Sequence, residues 1–275
     1  MPGDTLDAAL AAAHALQRDG LATVLTQLGE NVTDAAGAAA VRGHYTEALA
    51  RIQGERLNSD LSVKPTQLGL DVDPDRCHDN LHAIVERAFR QGTRIWIDME
   101  QYAYLDRTLT IYRRLLSDFP NVGVCLQAYL YRTKDDLQSL LPLGGGIRLV
   151  KGAYREPATV AYPKKSDVDA NFLVLAHQML DAARHTSSAR PVFGTHDRTI
   201  LDAIAHEGDR AGLSREAFEF HLLFGIQRGE QERLAREGYR VRVLISYGDQ
   251  WFAWYMRRLA ERPANVLFAV RAMFS

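Results

Sequence analysis

Eight short, mostly apolar runs recur along this chain, and longer amphipathic stretches separate them. The runs cover residues 21–25, 60–64, 94–98, 123–127, 147–150, 191–195, 218–223 and 240–245. Several are continuously apolar, as is typical of parallel strands that are buried on both faces. Eight strands that alternate with helices predict an α/β fold, a (β/α)8 barrel of the TIM type with its active site at the carboxyl ends of the strands.

The length of the chain and its uniform composition along the sequence favour a single domain. Barrels of this kind reach 275 residues as a single unit, and the chain shows no linker, internal repeat or low-complexity tract. Residues 1–275 are therefore predicted to form one catalytic barrel domain.

Signals for helix ends lie between the apolar runs. Asp73 supplies an N-cap and Pro74 the first helical residue, and Gly92 ends that helix.

The composition argues against several classes of protein. The formal net charge of −1 leaves no basic footprint for nucleic acid. Cys77 and Cys125 are the only cysteines, which disfavours a disulfide framework and favours a cytoplasmic location. No run approaches the roughly 20 apolar residues of a membrane span, although peripheral contact with the inner membrane stays open. His78 and His82 have the spacing of an ordinary solvated helix face, so no metal site is predicted.

Polar residues cluster at or just after the carboxyl ends of the first six predicted strands, and two more lie on the seventh. They are Glu30, Lys64, Asp98, Glu100, Gln127, Tyr129, Arg148, Lys151, Thr195, His196, Asp197, Glu219 and His221. In a parallel barrel these ends meet at one mouth, so a shared site is predicted there, although any single residue could serve a structural ion pair. Arg148 stands between apolar neighbours on a buried strand, and we expect it to have a partner because a lone buried charge is costly.

Two groups of cations suit the binding of small anionic groups. Arg148 and Lys151 lie three residues apart at the end of a predicted strand, and Arg257 and Arg258 adjoin on a predicted helix at 249–261. Neighbouring helical residues point about 100° apart, so the two arginines could straddle a ligand at the helix edge. For that pair alone, a solvated helix face is the plainer interpretation.

Eight motifs, in this order, carry a resemblance to a known family. They are Leu28-Gly-Glu30, Leu61-Ser-Val-Lys64, Ile97-Asp-Met-Glu100, Leu126-Gln-Ala-Tyr-Leu-Tyr-Arg132, Arg148 to Pro157, Phe193-Gly-Thr-His-Asp197, Phe218-Glu-Phe-His-Leu-Leu-Phe-Gly225 and Arg257-Arg-Leu-Ala-Glu-Arg-Pro-Ala-Asn265. Together they resemble the proline dehydrogenase family, flavoenzymes built on a modified (β/α)8 barrel.

The resemblance implies FAD as the cofactor. The implied cofactor-binding residues are Met99, Gln127, Arg148, Lys151, Gly152, Ala153, Thr195, His196 and Glu219. Arg148 would lie near the flavin N5, where a cation favours the negative charge of the reduced ring. Gln127 would bond the pyrimidine edge, and Gly152 would let the backbone approach the cofactor closely.

The resemblance also implies a substrate pocket. Its implied catalytic residues are Asp98 and Arg148, and its implied substrate-binding residues are Glu30, Lys64, Tyr154, Leu223, Leu244, Arg257 and Arg258. Lys64 and the two arginines would clamp a carboxylate, while Glu30 would pair with Arg257 and act as a gate. The last helix, which bears both arginines, would lie over the barrel mouth.

The implied reaction is oxidation of L-proline to pyrroline-5-carboxylate, by hydride transfer to flavin N5. The electrons would pass to a membrane quinone during proline catabolism, so the chain would dock transiently at the membrane. Assembly with further copies of the same chain is compatible with the sequence. Upstream helices that many family members carry are missing, which implies a minimal or trimmed form.

The last predicted strand departs from the family pattern. The usual Tyr-Val-Pro-Tyr-Gly is here Leu244-Ile-Ser-Tyr-Gly248, so a hydroxyl expected to reach Asp98 is lost. His221 also stands where glutamine is common. A related cyclic or N-substituted amino acid, such as hydroxyproline, is therefore an alternative substrate.

Two other functions remain open on the same barrel. One is a Schiff-base aldolase or lyase with Lys64 or Lys151 as the nucleophile. The other is a barrel that binds cofactor or ligand without turnover, as a consequence of the change at Leu244.

Overall fold

Eight parallel strands close into a barrel in chain order, with the last strand paired to the first. The computed structural model describes residues 1–186, 189–252 and 256. The strands are β1 Ala22–Gln27, β2 Ser59–Val63, β3 Ile95–Ile97, β4 Val122–Gln127, β5 Gly145–Val150, β6 Ala189–Gly194, β7 Glu219–Leu223 and β8 Arg240–Tyr247. All eight predicted strands are present, and the predicted (β/α)8 barrel is confirmed.

One helix precedes the first strand, and the other helices occupy the intervals between strands and surround the barrel. They are α1 Leu6–Arg18, α2 Ala35–Gly54, α3 Pro74–Arg90, α4 Leu105–Asp118, α5 Thr133–Leu140, α6 Lys165–His185, α7 Arg198–Arg210 and α8 Arg228–Arg236. Arg257, Arg258 and the predicted placement of their helix over the mouth lie outside the described residues. Within the described part of the chain, no helix has the length and apolar character needed to cross a bilayer.

Helix α3 illustrates how local sequence sets an element. The Asp73 carboxylate accepts hydrogen bonds from the N–H groups of Asp75 at 2.9 Å and Arg76 at 3.4 Å. Pro74 occupies the first helical position, where its missing N–H costs nothing. The buried face comprises Cys77, Asn80, Leu81, Ile84, Val85 and Ala88. This helical spacing packs one side of α3 against the barrel.

A small apolar cluster fills the barrel interior. Val24, Trp96, Val192 and Leu244 pack together there. Two glycines make room for the indole: a Cβ on Gly123 would lie 2.6 Å from the Trp96 ring, and one on Gly146 would lie 2.9 Å from it. Strands β4 and β5 therefore carry glycine where they face the largest interior side chain.

Charged side chains lie below this cluster, toward the amino-terminal ends of the strands. Arg242 Nε lies 3.3 Å from Asp60 Oδ2 and 3.2 Å from Glu219 Oε2. Arg190 also pairs with Glu219, and Trp96 donates from Nε1 to Asp60 at 3.1 Å. We call Asp60, Arg190, Glu219 and Arg242 the charged floor. Its opposite charges offset the cost of burying each one.

Candidate active site at the barrel mouth

Three charged side chains converge where β2, β3 and β5 reach the mouth. Lys64 Nζ lies 3.5 Å from Asp98 Oδ2. Arg148 donates from Nη2 to Asp98 Oδ1 and, at 2.8 Å, to Ser62 Oγ. Ser62 in turn donates to Asp98 Oδ1 at 2.8 Å. One carboxylate thus organises two cations and a hydroxyl.

Arg148 is 3% exposed, and its guanidinium lies 5.3 Å from the centre of the Trp96 ring. Its ion pair with Asp98 confirms the predicted need for a partner. The other terminal nitrogen, Nη1, is buried and makes no hydrogen bond to the residues that the structure describes. A buried N–H without a partner is disfavoured, so this donor is available to a bound molecule.

Gln127, at the end of β4, offers a buried hydrogen-bond acceptor. Its Nε2 group donates to the carbonyl oxygens of Met99 at 3.2 Å and Glu100 at 3.1 Å, which holds the amide against the segment after β3. Its Oε1 atom is buried and has no hydrogen-bond partner in the described ranges. The mouth therefore offers an acceptor at Gln127 as well as a donor at Arg148.

Glu100 is a buried carboxyl group beside this centre. Its oxygens accept hydrogen bonds from the Thr66 N–H at 3.0 Å and the Thr66 hydroxyl at 2.6 Å. Burial raises the pKa of Glu100 to about 7, and the nearby Glu30 charge adds to this, while Thr66 and Lys64 oppose it. Glu100 can thus exchange a proton near neutral pH.

Lys151 lies in a cluster of two lysines and two carboxylates after β5. Its Nζ atom lies 2.5 Å from Asp169 Oδ1 and 2.9 Å from Asp197 Oδ2. Lys165 contacts the same two carboxylates. Although burial opposes it, contacts with the lysines lower the pKa values of Asp169 and Asp197. The Lys151 ammonium is therefore held at the rim of the mouth.

The segment after β5 brings Gly152, Ala153 and Tyr154 to the mouth. Gly152 has a φ of +115°, and a Cβ there would lie 2.3 Å from the Tyr129 ring, so only glycine fits. Ala153 is half-buried. The Tyr154 hydroxyl donates to Glu30 Oε1 at 3.2 Å, which links this segment to the one after β1.

The segment directly after β6 places two more predicted residues at the same end. Thr195 is buried, and its hydroxyl accepts from the Asp197 N–H at 3.2 Å. His196 accepts at Nε2 from the Leu223 N–H at 2.9 Å. This bond fixes the end of β7, and with it the half-buried Leu223, against the segment that follows β6.

Glu219 lies in a different place from the mouth that the sequence predicted for it. It is the first residue of β7, in the charged floor, whereas the other predicted cofactor-binding residues lie near or beyond the carboxyl ends of their strands. His221 donates to Glu219 at 3.3 Å and meets the Trp96 ring edge-on at 5.4 Å. Burial lowers the pKa of His221 to about 4, so the ring is neutral at pH 7.

Sequence reasoning did not assign a role to Ser62 or Trp96. Ser62 is a polar residue within the apolar run 60–64, and this was the available signal. Leu244 lies in the interior cluster with Trp96. Asp98, which was expected to lose a tyrosine hydroxyl, instead has Ser62 as its hydroxyl partner.

The comparison with protein families agrees with this geometry. The sequence profile of the family described as proline dehydrogenase matches residues 9–271. The chain belongs to the proline dehydrogenase family. Within the described residues, no group of three or more His, Cys, Asp or Glu side chains is placed to hold a metal ion.

Curated proline dehydrogenases are similar over nearly the whole chain. Proline dehydrogenase 1 of Bacillus subtilis (strain 168) is 37% identical over 271 residues, which is 98% of this chain and 88% of that protein. The proline dehydrogenase of Deinococcus radiodurans is 39% identical over an alignment of 276 positions, which covers 98% of this chain and 87% of that protein.

Solved structures of proline utilization A (PutA) share the fold. PutA from Bdellovibrio bacteriovorus, inactivated by N-propargylglycine, superposes with a TM-score of 0.87 at 24% identity, over 94% of this chain and 32% of that one. A mutant of PutA from Bradyrhizobium japonicum gives a TM-score of 0.79 at 23% identity, over 91% of this chain and 30% of that one. This member of the proline dehydrogenase family thus spans about a third of those longer chains.

Proposed function

We propose that this chain is an FAD-dependent enzyme that oxidises L-proline to pyrroline-5-carboxylate and passes the electrons to a membrane quinone. The observation that carries the proposal is the convergence of Lys64, Asp98 and Arg148 at the mouth, beside a buried donor and a buried acceptor that have no partners among the described side chains. The names of the Bacillus and Deinococcus relatives, which this chain matches over most of their length, support proline as the substrate.

Two atoms of the mouth fit a flavin ring. The acceptor Gln127 Oε1 suits an N–H of the pyrimidine edge, and the donor Arg148 Nη1 suits a ring nitrogen that gains charge on reduction. The residues that we propose to hold FAD are Met99, Gln127, Arg148, Lys151, Gly152, Ala153, Thr195 and His196. Glu219 is left out because it lies in the charged floor. Bound FAD supplies the acceptor for the hydride that leaves the carbon next to the proline nitrogen.

The substrate carboxylate would bind to cations. Lys64 is 7% exposed and is oriented by Asp98, so its ammonium is already positioned. Arg257 and Arg258 would add two positive charges around the substrate carboxylate, and Glu30 would pair with Arg257. Tyr154, Leu223 and Leu244 would form the wall around the ring.

The proline nitrogen must lose a proton before its neighbouring carbon can be oxidised. Lys64 and Arg148 place two positive charges around the pocket, and like charges disfavour a protonated amine there. Asp98 keeps both cations in place through its contacts with them. These residues would therefore both orient the substrate and favour its reactive form.

Residues 1–275 would form one catalytic domain that works in the cytoplasm and meets the quinone at the face of the inner membrane. Docking would be peripheral. Assembly with further copies of the same chain stays a prediction.

Anaerobic titration with L-proline tests the proposal. The purified protein, reconstituted with FAD, should be yellow, and its flavin absorbance should bleach as L-proline is added. Lys64→Met should raise the proline concentration needed for half-maximal bleaching by at least tenfold, because one charged contact to the carboxylate is lost. A protein that takes up FAD but is bleached by no cyclic amino acid would instead be a binding barrel.

The Schiff-base alternative requires a free amine in the pocket. The Lys151 ammonium is engaged by carboxylates at 2.5 and 2.9 Å, and Lys64 by Asp98 at 3.5 Å, so neither geometry favours a nucleophile. Borohydride treatment in the presence of substrate distinguishes the two reactions: a trapped adduct would support the lysine mechanism and contradict ours.

A further inference from the structure

We propose that the amino-terminal end of the barrel binds one monovalent halide ion, such as chloride, beside Arg190. Arg190 is the second residue of β6, so the site lies at the opposite end of the barrel from the mouth. The inference is therefore independent of the proposed function.

Positive charge exceeds negative charge at this end of the barrel. The charged floor holds two carboxylates and two guanidiniums. Arg94 adds a third guanidinium beside it, since its backbone N–H donates to Asp60 Oδ1 at 3.3 Å. The Arg94 side chain donates to the carbonyl oxygens of Pro120 at 3.3 Å and Val122 at 3.4 Å, and neither is a carboxylate. These five charges sum to one positive charge, which an anion would neutralise.

Arg94 and Arg190 lie close to each other. Gly146 is the register partner of Arg190, and a Cβ on Gly146 would lie 3.3 Å from Arg94 Nη1. Burial lowers the pKa of Arg94, and the Arg190 charge lowers it further, while Asp60 and Glu219 oppose the shift. The two guanidiniums therefore repel each other, and an anion beside them would relieve that repulsion.

Arg190 offers an anion both a hydrogen-bond donor and space. Its Nη2 group pairs with Glu219, whereas its Nε–H is buried and has no hydrogen-bond partner among the residues that the structure describes. Arg190 also lines a cavity of about 10 Å³ together with Gly144 and Gly145, which contribute no side chains. A volume of this size holds about one species as large as a water molecule.

The walls of this cavity select the class of anion. The other lining residues are apolar: Leu141, Ile147, Met179, Ala189 and Pro191. A divalent oxyanion would lose more hydration there than a monovalent ion, and it is larger than the space. A single halide ion fits one charged N–H donor with a second positive charge nearby, and Arg190 and Arg94 supply these.

Thermal unfolding of the full chain at constant ionic strength tests the site. Chloride is exchanged for gluconate, which is too large for the cavity. We expect Tm to rise and then to saturate, by about 3–6 °C at ten times Kd. Arg94→Met removes the excess charge, so it should raise the chloride concentration for half of this shift at least about fivefold. Arg190→Lys keeps a charge for Glu219 but lacks Nε, so it should lose most of the shift.

Two control variants separate this site from other cations of the protein. Lys64→Met at the mouth and Arg240→Met at the surface should both keep the wild-type shift. Crystals grown in bromide locate the ion directly, since an anomalous peak is expected beside Arg190 in the wild type and not in Arg190→Lys. A shift that does not saturate, equal shifts in all variants or a wild-type cavity without bromide would each overturn the site. None of these outcomes would bear on proline oxidation.

Discussion

Arg148 occupies an interior strand position at which barrels usually carry an aliphatic side chain. The Asp98 carboxylate and the Trp96 ring balance its charge, and Ser62 accepts one of its N–H groups. The same contacts leave Nη1 as a donor with no partner in the described part of the chain. The residue is thus stabilised on one side and available on the other, as a binding residue must be.

Gly152 allows a prediction about backbone freedom. Gly152→Ala should lower the free energy of unfolding by at least about 2 kcal/mol and weaken FAD retention, because its φ is +115° and the added Cβ would meet Tyr129. Gly43→Ala is the control: Gly43 lies within α2 with open space around it, and alanine there should stabilise by about 0.5–1 kcal/mol. Urea unfolding and flavin content measure both effects, and equal behaviour of the two variants would refute the expectation.

Glu100 allows a prediction about pH. Its folded pKa of about 7 is above the ordinary value of 4.5, first because of burial, so the folded state binds this proton more tightly than the unfolded state. The stability that this proton contributes is fully present below the ordinary pKa of 4.5. It is lost as the pH rises through the folded pKa of about 7. Because of this group, the free energy of unfolding of the wild type should fall by roughly 2 kcal/mol between about pH 5 and pH 8. Glu100→Gln should abolish that part of the fall.

Urea unfolding at several pH values measures that change. The exposed Glu47 provides a surface control, Glu47→Gln. A variant at Glu100 with the same pH profile as the wild type would show that this carboxyl group does not govern the profile.

Among the elements, strand β8 carries arginines in two different charge environments. Arg242 faces the interior and contacts Asp60 and Glu219, whereas Arg240 forms an ion pair with Glu216 at the surface. Arg242 thus belongs to the charged floor, whereas Arg240, on the same strand, lies at the solvent-exposed surface. Residues two apart on a strand share a face, so the two arginines differ in depth: Arg240 is the exposed first residue of β8, and Arg242 lies further into the barrel.

This difference in burial predicts unequal effects of the same substitution at the two arginines. Arg242→Met should destabilise the protein by about 3–5 kcal/mol, because it leaves buried carboxylates short of a cation. Arg240→Met should cost less than about 1 kcal/mol, since the ion pair at the surface is exposed and screened. Thermal and urea unfolding test the pair. Similar losses for both would contradict the buried network.

At the scale of the whole molecule, the barrel interior is layered from the charged floor through the apolar cluster to the polar mouth. Trp96 connects the layers, since its indole contacts Asp60 in the floor and its ring lies beneath Arg148. The floor lies at the amino-terminal ends of the strands, and the polar mouth lies at the carboxyl ends, where barrels of this kind usually carry their active sites.

A ligand that binds only the folded barrel should stabilise it. At an FAD concentration about 100 times Kd, binding adds about 2.7 kcal/mol, which corresponds to a rise in Tm of about 5–10 °C for a chain of this size. Scanning calorimetry of the apoprotein with FAD measures this, and riboflavin, which lacks the diphosphate, provides the comparison. Lys151→Met should reduce the shift with FAD, and identical Tm values with and without FAD would count against the proposed cofactor.

The elements and their order can be read from the amino-acid sequence alone. Apolar runs, helix caps such as Asp73 and the need of Arg148 for a partner depend on neighbours within a few positions, so they can be recognised from the chain. The three-dimensional contacts, by contrast, establish that the partner is Asp98, 50 residues away, and that Glu219 lies in the floor. These facts depend on the register between strands and on which residue begins each strand. A shift of one residue would turn every side chain to the other face, and local patterns do not specify that choice.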